Sequence, residues 1–227
     1  MGTSKGYIPP TRPEWTKAKR AVTGLLNDKG GNSVANVSST FATAMKSEIK
    51  SNSTFSQATA NIFSFIQIVK NEGAENALIS IGYESLISKS TNEIWDTLLH
   101  EYTNDGSTVE ESLVLDALTQ ALENLGIESL ENIIEISQDA LLKEMLIEYI
   151  SISFEFRFFE KISRDRSPKQ ANQIIEEIRT FIRNDLYEQL YVSDMSTIDF
   201  SSISGSEYIE KSLIDAYSVF ERYYEER

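Results

Sequence analysis

QDALLKEMLIEYISISFEFRFFEKISR, residues 138–164, is the most apolar stretch of this 227-residue chain, and whether it forms helix or strand decides the fold class. In its first half Leu141, Leu142, Met145, Leu146 and Tyr149 recur every three or four residues, a helical period. Its second half contains ISISFEFRFF, which alternates as a half-buried strand would. No other segment carries a strand pattern with which it could pair. The stretch is therefore read as one central, buried helix, with Ile152, Phe156 and Phe159 aligned with Met145 and Tyr149 on the inward face.

The flanking sequence gives the same answer. Three of the four prolines stand at positions 9, 10 and 13, so residues 1–13 read as an extended arm that leads into a helix beginning at Glu14. Trp15, Ala18, Val22 and Leu25/Leu26 form its apolar stripe, and Lys29-Gly30-Gly31 stops it. Further amphipathic helices are expected over 33–50, 56–71 and 74–81, then from Thr91 into the loop at Asn104. Ser107-Thr108-Val109-Glu110 reads as a capping box opening a helix to Leu125. A short turn follows at 129–136, then the apolar stretch, a helix opened by Ser167-Pro168, and a last helix over 206–223. The expected class is all-α: a compact bundle of nine or ten helices with an extended, proline-containing N-terminal arm. Residues 14–227 form a single helical domain in which 14–72 could stand as an N-terminal lobe.

A chain of this length buries enough surface to fold without disulfide or metal. It has no cysteine, which excludes a disulfide framework, a thiolate nucleophile and cysteine-ligated metal. The N-terminus shows no apolar signal region, and no apolar run is long enough to span a bilayer, so a cytoplasmic location is expected. Charge is lopsided. Residues 1–50 hold eight Lys/Arg against three Asp/Glu, and the remainder holds thirteen against thirty-two. An acidic body repels phosphate backbones, so direct nucleic-acid binding is not expected. The basic cluster Lys17, Lys19, Arg20 reads as a solvated helix face.

Catalytic signatures are missing. His100 is the only histidine, which rules out a zinc pair and the two Glu-x-x-His motifs of a di-iron bundle. There is no Gly-rich phosphate loop and no nucleophile elbow. Carboxylate pairs such as Glu110/Glu111, Glu144/Glu148 and Glu176/Glu177 are expected by chance in so acidic a chain, mostly on solvated faces. No enzyme, cofactor or metal site is inferred. The phenylalanines at 154, 156, 158 and 159 read as core, and any that are exposed would mark a partner surface.

Two stretches resemble a known family. Met1-Gly2-Thr3-Ser4, followed by Tyr7, prolines and Trp15, is similar to the N-terminus of QatB-type proteins, helical components of the bacterial Qat anti-phage defence system. Thr40-Phe41-Ala42, Ala77–Leu86 (ALISIGYESL), Asn104–Glu110 (NDGSTVE) and Ala117-Leu118-x-x-Ala121-Leu122-Glu123 are similar to the middle of such proteins. The resemblance implies a QueC-like partner, related to 7-cyano-7-deazaguanine synthase, beside other defence subunits such as an ATPase and a nuclease. Carried over, Met1 would be removed and the Gly2 amine presented for binding or deazapurine conjugation. Thr3 and Ser4 would line the approach, and Tyr7 and Trp15 would complete the partner-binding set. The alternative is a helical adaptor that docks an ATPase or nuclease through acidic or aromatic faces, with no role for the arm.

Overall fold

The computed structural model describes residues 11–27, 33–49, 53–127, 129–193 and 195–225. Among these residues ten α-helices and two 3-10 turns are found and no strand, so the chain is all-α as the sequence implied. It divides into two compact units, residues 1–49, 150–190 and 214–227 in the first and 50–149 and 191–213 in the second. Among the described residues no helix is long and apolar enough to cross a membrane.

In the first unit, α1 (Pro13–Leu26) starts with proline at its first position, where the missing amide hydrogen costs nothing. Ser33 caps α2 (Val34–Lys46) by accepting from the Asn36 amide. The second half of α8 (Gln138–Ser163), α9 (Pro168–Gln189) and the second half of α10 (Ile203–Glu225) complete the unit. Ser167 and Gln170 form the capping box of α9. Lys46 Nζ donates to Glu221 Oε2 at 2.6 Å and to Ser218 Oγ at 3.0 Å, joining α2 to α10. Phe41 is the centre of the core. Its ring meets Phe154 edge-on at 5.2 Å and lies within 6.2 Å of Phe158, Trp15 and Tyr217.

The second unit is built on α3 (Thr54–Glu72), which ends at Gly73, whose φ of +84° only glycine adopts freely. It continues with α4 (Ala74–Ser80), a 3-10 turn (Glu84–Leu86), α5 (Thr91–Tyr102) and a second 3-10 turn (Asn104–Gly106). Then come α6 (Val109–Asn124), the single turn α7 (Leu130–Ile133), and the first halves of α8 and α10. Phe55 stacks on Tyr149 at 4.4 Å and Phe63 on Phe200 at 5.1 Å, while Gln67 Nε2 donates to the Ile198 carbonyl at 2.9 Å.

Three details depart from the sequence reading. The capping box before α6 is Thr108 with Glu111, one residue later than expected, because Ser107 bonds back to the Asn104 carbonyl and closes the preceding turn. Helix α10 begins at Ile203, ahead of Ser206, so Gly205 lies inside it rather than ending a loop. The face of α8 is the third. Phe154 and Phe158 are buried, whereas Phe156 is 37% and Phe159 40% exposed. Residues 150–162 carry apolar side chains on two neighbouring faces, one with Phe154 and Phe158 and one with Ile152, Phe156 and Phe159, so the helical wheel offered two candidate inward faces.

Candidate functional site

The candidate residues of the arm meet the structure at the start of α1. Gly2, Thr3, Ser4 and Tyr7 lie outside the described residues. Trp15 lies within them, only 1% exposed. Its indole Nε1–H donates to Glu48 Oε1 at 2.8 Å, and its ring packs on Phe41 at 6.2 Å and Phe158 at 6.3 Å. The Arg157 guanidinium stands 5.4 Å from the ring centroid, a cation–π contact. Three residues earlier, Arg12 Nη1 donates to the Ser47 carbonyl at 3.1 Å. Arg12 and Trp15 thus fasten the start of α1 to the stretch just after α2. The indole is an anchor within the core, with too little accessible surface to bind a partner itself.

The basic side chains around this anchor separate by exposure. Lys17 and Arg20 are exposed, as expected of a solvated face, whereas Lys19 is half-buried. Lys161 on α8 is held below the usual lysine range, first by burial and then by the charges of Arg164 and Lys19. Arg166 Nη2 donates to the Leu26 carbonyl at 2.7 Å, closing the C-terminal end of α1.

Most of the other groups with chemical potential fall in the second unit, whereas Glu176, on α9, belongs to the first. His100, in the last turn of α5, has Nε2 3.6 Å from Asp96 and Nδ1 3.3 Å from Asp105, a surface pairing. Glu111 belongs to a helix cap and Glu176 pairs with Arg179, so these acids serve local structure. Glu144 and Glu148 differ from the expectation of a solvated face. One turn apart on α8, they are 2% and 5% exposed, and both accept from Asn124 Nδ2, at 2.9 and 3.0 Å. Gln120 Nε2 donates to Asn124 Oδ1 and orients the amide. Sequence periodicity could not find this cluster, since the compensating amide comes from another helix. Among the described residues no group of three His, Asp or Glu could hold a metal ion.

The family described as Qat anti-phage system associated protein QatB matches residues 42–220. The chain belongs to the QatB family. It is therefore a component of an anti-phage defence system. No curated protein and no solved structure matches it. The span matched to QatB takes in the aromatic core residues Phe154, Phe158 and Tyr217, the buried acid pair and the exposed Phe156 and Phe159. Residues 1–41, with Trp15 and the arm before it, precede the matched span.

Proposed function

We propose that this QatB-family protein is a non-enzymatic component of its defence system, whose N-terminal arm is presented to a QueC-like, 7-cyano-7-deazaguanine synthase-like partner. The supporting observation is the anchorage of Trp15 and Arg12, which tethers the preceding chain at one place on the first unit. With Met1 removed, the Gly2 amine is a nucleophile with no side chain to block approach, and an α-amino pKa of about 8 leaves a useful neutral fraction near neutrality. The amine attacks a deazapurine carboxyl carbon that the partner has activated. An amide C–N bond forms, the activating group leaves with its electron pair, and the amine releases a proton. The protein is substrate here rather than catalyst.

The test is intact-mass and N-terminal peptide mass spectrometry of the protein co-expressed with the synthase-like partner. An added deazapurine mass on Gly2 is expected. A Gly2 that stays unmodified, in a protein that functions equally well without residues 2–12, overturns the reading.

A second reading draws on the outward aromatics of α8. Phe156 and Phe159, one turn apart and exposed, form an apolar stripe suited to another defence subunit. Here the protein is an adaptor. Replacing both with serine should abolish co-purification with that subunit at a stability cost of about 1–3 kcal/mol, since each ring is more than half covered. Undiminished co-purification would remove this role.

A further inference from the structure

A cavity of about 470 Å³ in the second unit lies between α3, the segment after α4 and the last turn of α5. Tyr83 and Tyr102 bring two phenol rings to it, Glu101 one carboxylate, and Asn61 and Ser64 neutral polar groups, while the Phe65 ring at its floor is buried against Trp95. Among its lining residues there is no lysine or arginine. Glu101 lines the cavity together with Tyr83, and its charge, after burial, raises the Tyr83 phenol above its ordinary range. Glu101 and Tyr102 end α5, and the C-terminal turn of a helix carries partial negative charge from its free carbonyls. The second unit as a whole holds five Lys/Arg against twenty-one Asp/Glu, a net of −16, while the first holds sixteen against fourteen.

Each of these features favours a cation. Aromatic faces attract an ammonium through the ring quadrupole, and a carboxylate at the rim supplies the counter-charge. An anion would meet Glu101, the helix end and the field of the acidic unit together. We propose that this cavity is a binding site for an alkylammonium group, held between Tyr83 and Tyr102 with Glu101 as counter-ion. Such a group is carried both by a free polyamine and by a lysine side chain of a partner protein. The site is independent of the arm and of its modification. Burial, then the charges of Tyr83 and Glu101, pushes the Tyr102 phenol up to about 12, so its ring stays neutral and electron-rich at neutral pH.

The experiment uses the full chain with ¹³C-labelled tyrosine, titrated with n-pentylammonium chloride at constant ionic strength and, separately, with n-pentanol. Saturable shifts of the Tyr83 and Tyr102 resonances by the ammonium and not by the alcohol are expected. Glu101→Gln, at an exposed position, should weaken the affinity about five- to tenfold while the Tyr217 resonance stays unchanged. Spermidine and a single-lysine peptide, the latter against its norleucine counterpart, then separate the sources, and saturable binding of either supports the site. Equal shifts by the alcohol, no shift with the ammonium, or an affinity indifferent to Glu101→Gln would overturn it.

Discussion

The indole nitrogen of Trp15 sits 2.8 Å from the Glu48 carboxylate, a contact that closes the first turn of α1 onto the chain just beyond α2. Removing the ring leaves a large void beside Phe41 and Phe158. Trp15→Ala should cost about 3–5 kcal/mol, and Trp15→Phe, which mainly loses the donor, about 1–2 kcal/mol. Urea denaturation of both, with Glu48→Gln as the second arm of a double-mutant cycle, isolates the hydrogen bond. A Trp15→Ala protein as stable as the wild type would show that the arm is not anchored there.

Asn124 is exposed, yet its amide nitrogen reaches two carboxylates that are almost wholly buried. Asn124→Ala should destabilise by about 1–3 kcal/mol, because two buried carboxyl groups lose the amide that donates to them where water replaces it poorly. The near-isosteric Asn124→Asp should be worse, since it brings a third acid against two. Thermal melts of the two variants at neutral pH check the order, and equal stabilities would refute it.

Two helix starts should loosen in acid. The Glu93 carboxylate is held below its usual range by the Ser90 amide and then by the Ser90 hydroxyl and Lys89. Glu111 is lowered chiefly by the Thr108 side chain. A folded-state pKa below the unfolded one means that the stabilisation is present above the unfolded value and lost as pH falls through the folded one. Amides in the first turns of α5 and α6 should therefore exchange faster, relative to the intrinsic rate, as pH drops below about 4. Glu93→Gln and Glu111→Gln should flatten that dependence.

The opposite sign applies to Tyr102. Its folded pKa, about 12, exceeds the ordinary phenol value of 10.0, so its contribution is fully present below pH 10 and disappears as pH rises through about 12. In Tyr102→Phe the alkaline loss of stability should be smaller over that interval. Stability curves by denaturation at pH 9 and 11.5 measure the difference.

Gly205 carries a prediction that helix propensity alone would reverse. A Cβ there would lie 2.5 Å from the Phe200 Cα and 3.0 Å from the Asp199 carbonyl oxygen, both backbone atoms that cannot swing aside. Alanine normally gains up to about 1 kcal/mol over glycine inside a helix. Gly205→Ala should instead destabilise by about 1–3 kcal/mol, as overpacking does. A gain in melting temperature would contradict the close approach.

The all-α class and most helix spans were legible in the sequence because they depend on local information. Apolar residues every three or four positions, Ser167 before a helix, Pro13 and Pro168 at first turns, and Gly73 at an end each act within a few residues of themselves, whereas the Ser53 cap that starts α3 two residues ahead of the expected position was missed. Where two local signals competed, as at Ser107 and Thr108, the reading slipped by one residue. Which face of α8 turns inward, and whether Glu144 and Glu148 meet water, depend on contacts between residues far apart in the chain. Phe41 and Trp15 draw in Phe154 and Phe158, leaving Phe156 and Phe159 outside, and Asn124 makes the acid pair tolerable in the interior. Burial is set by what packs on a residue, and the residue's own neighbours in sequence do not carry that information.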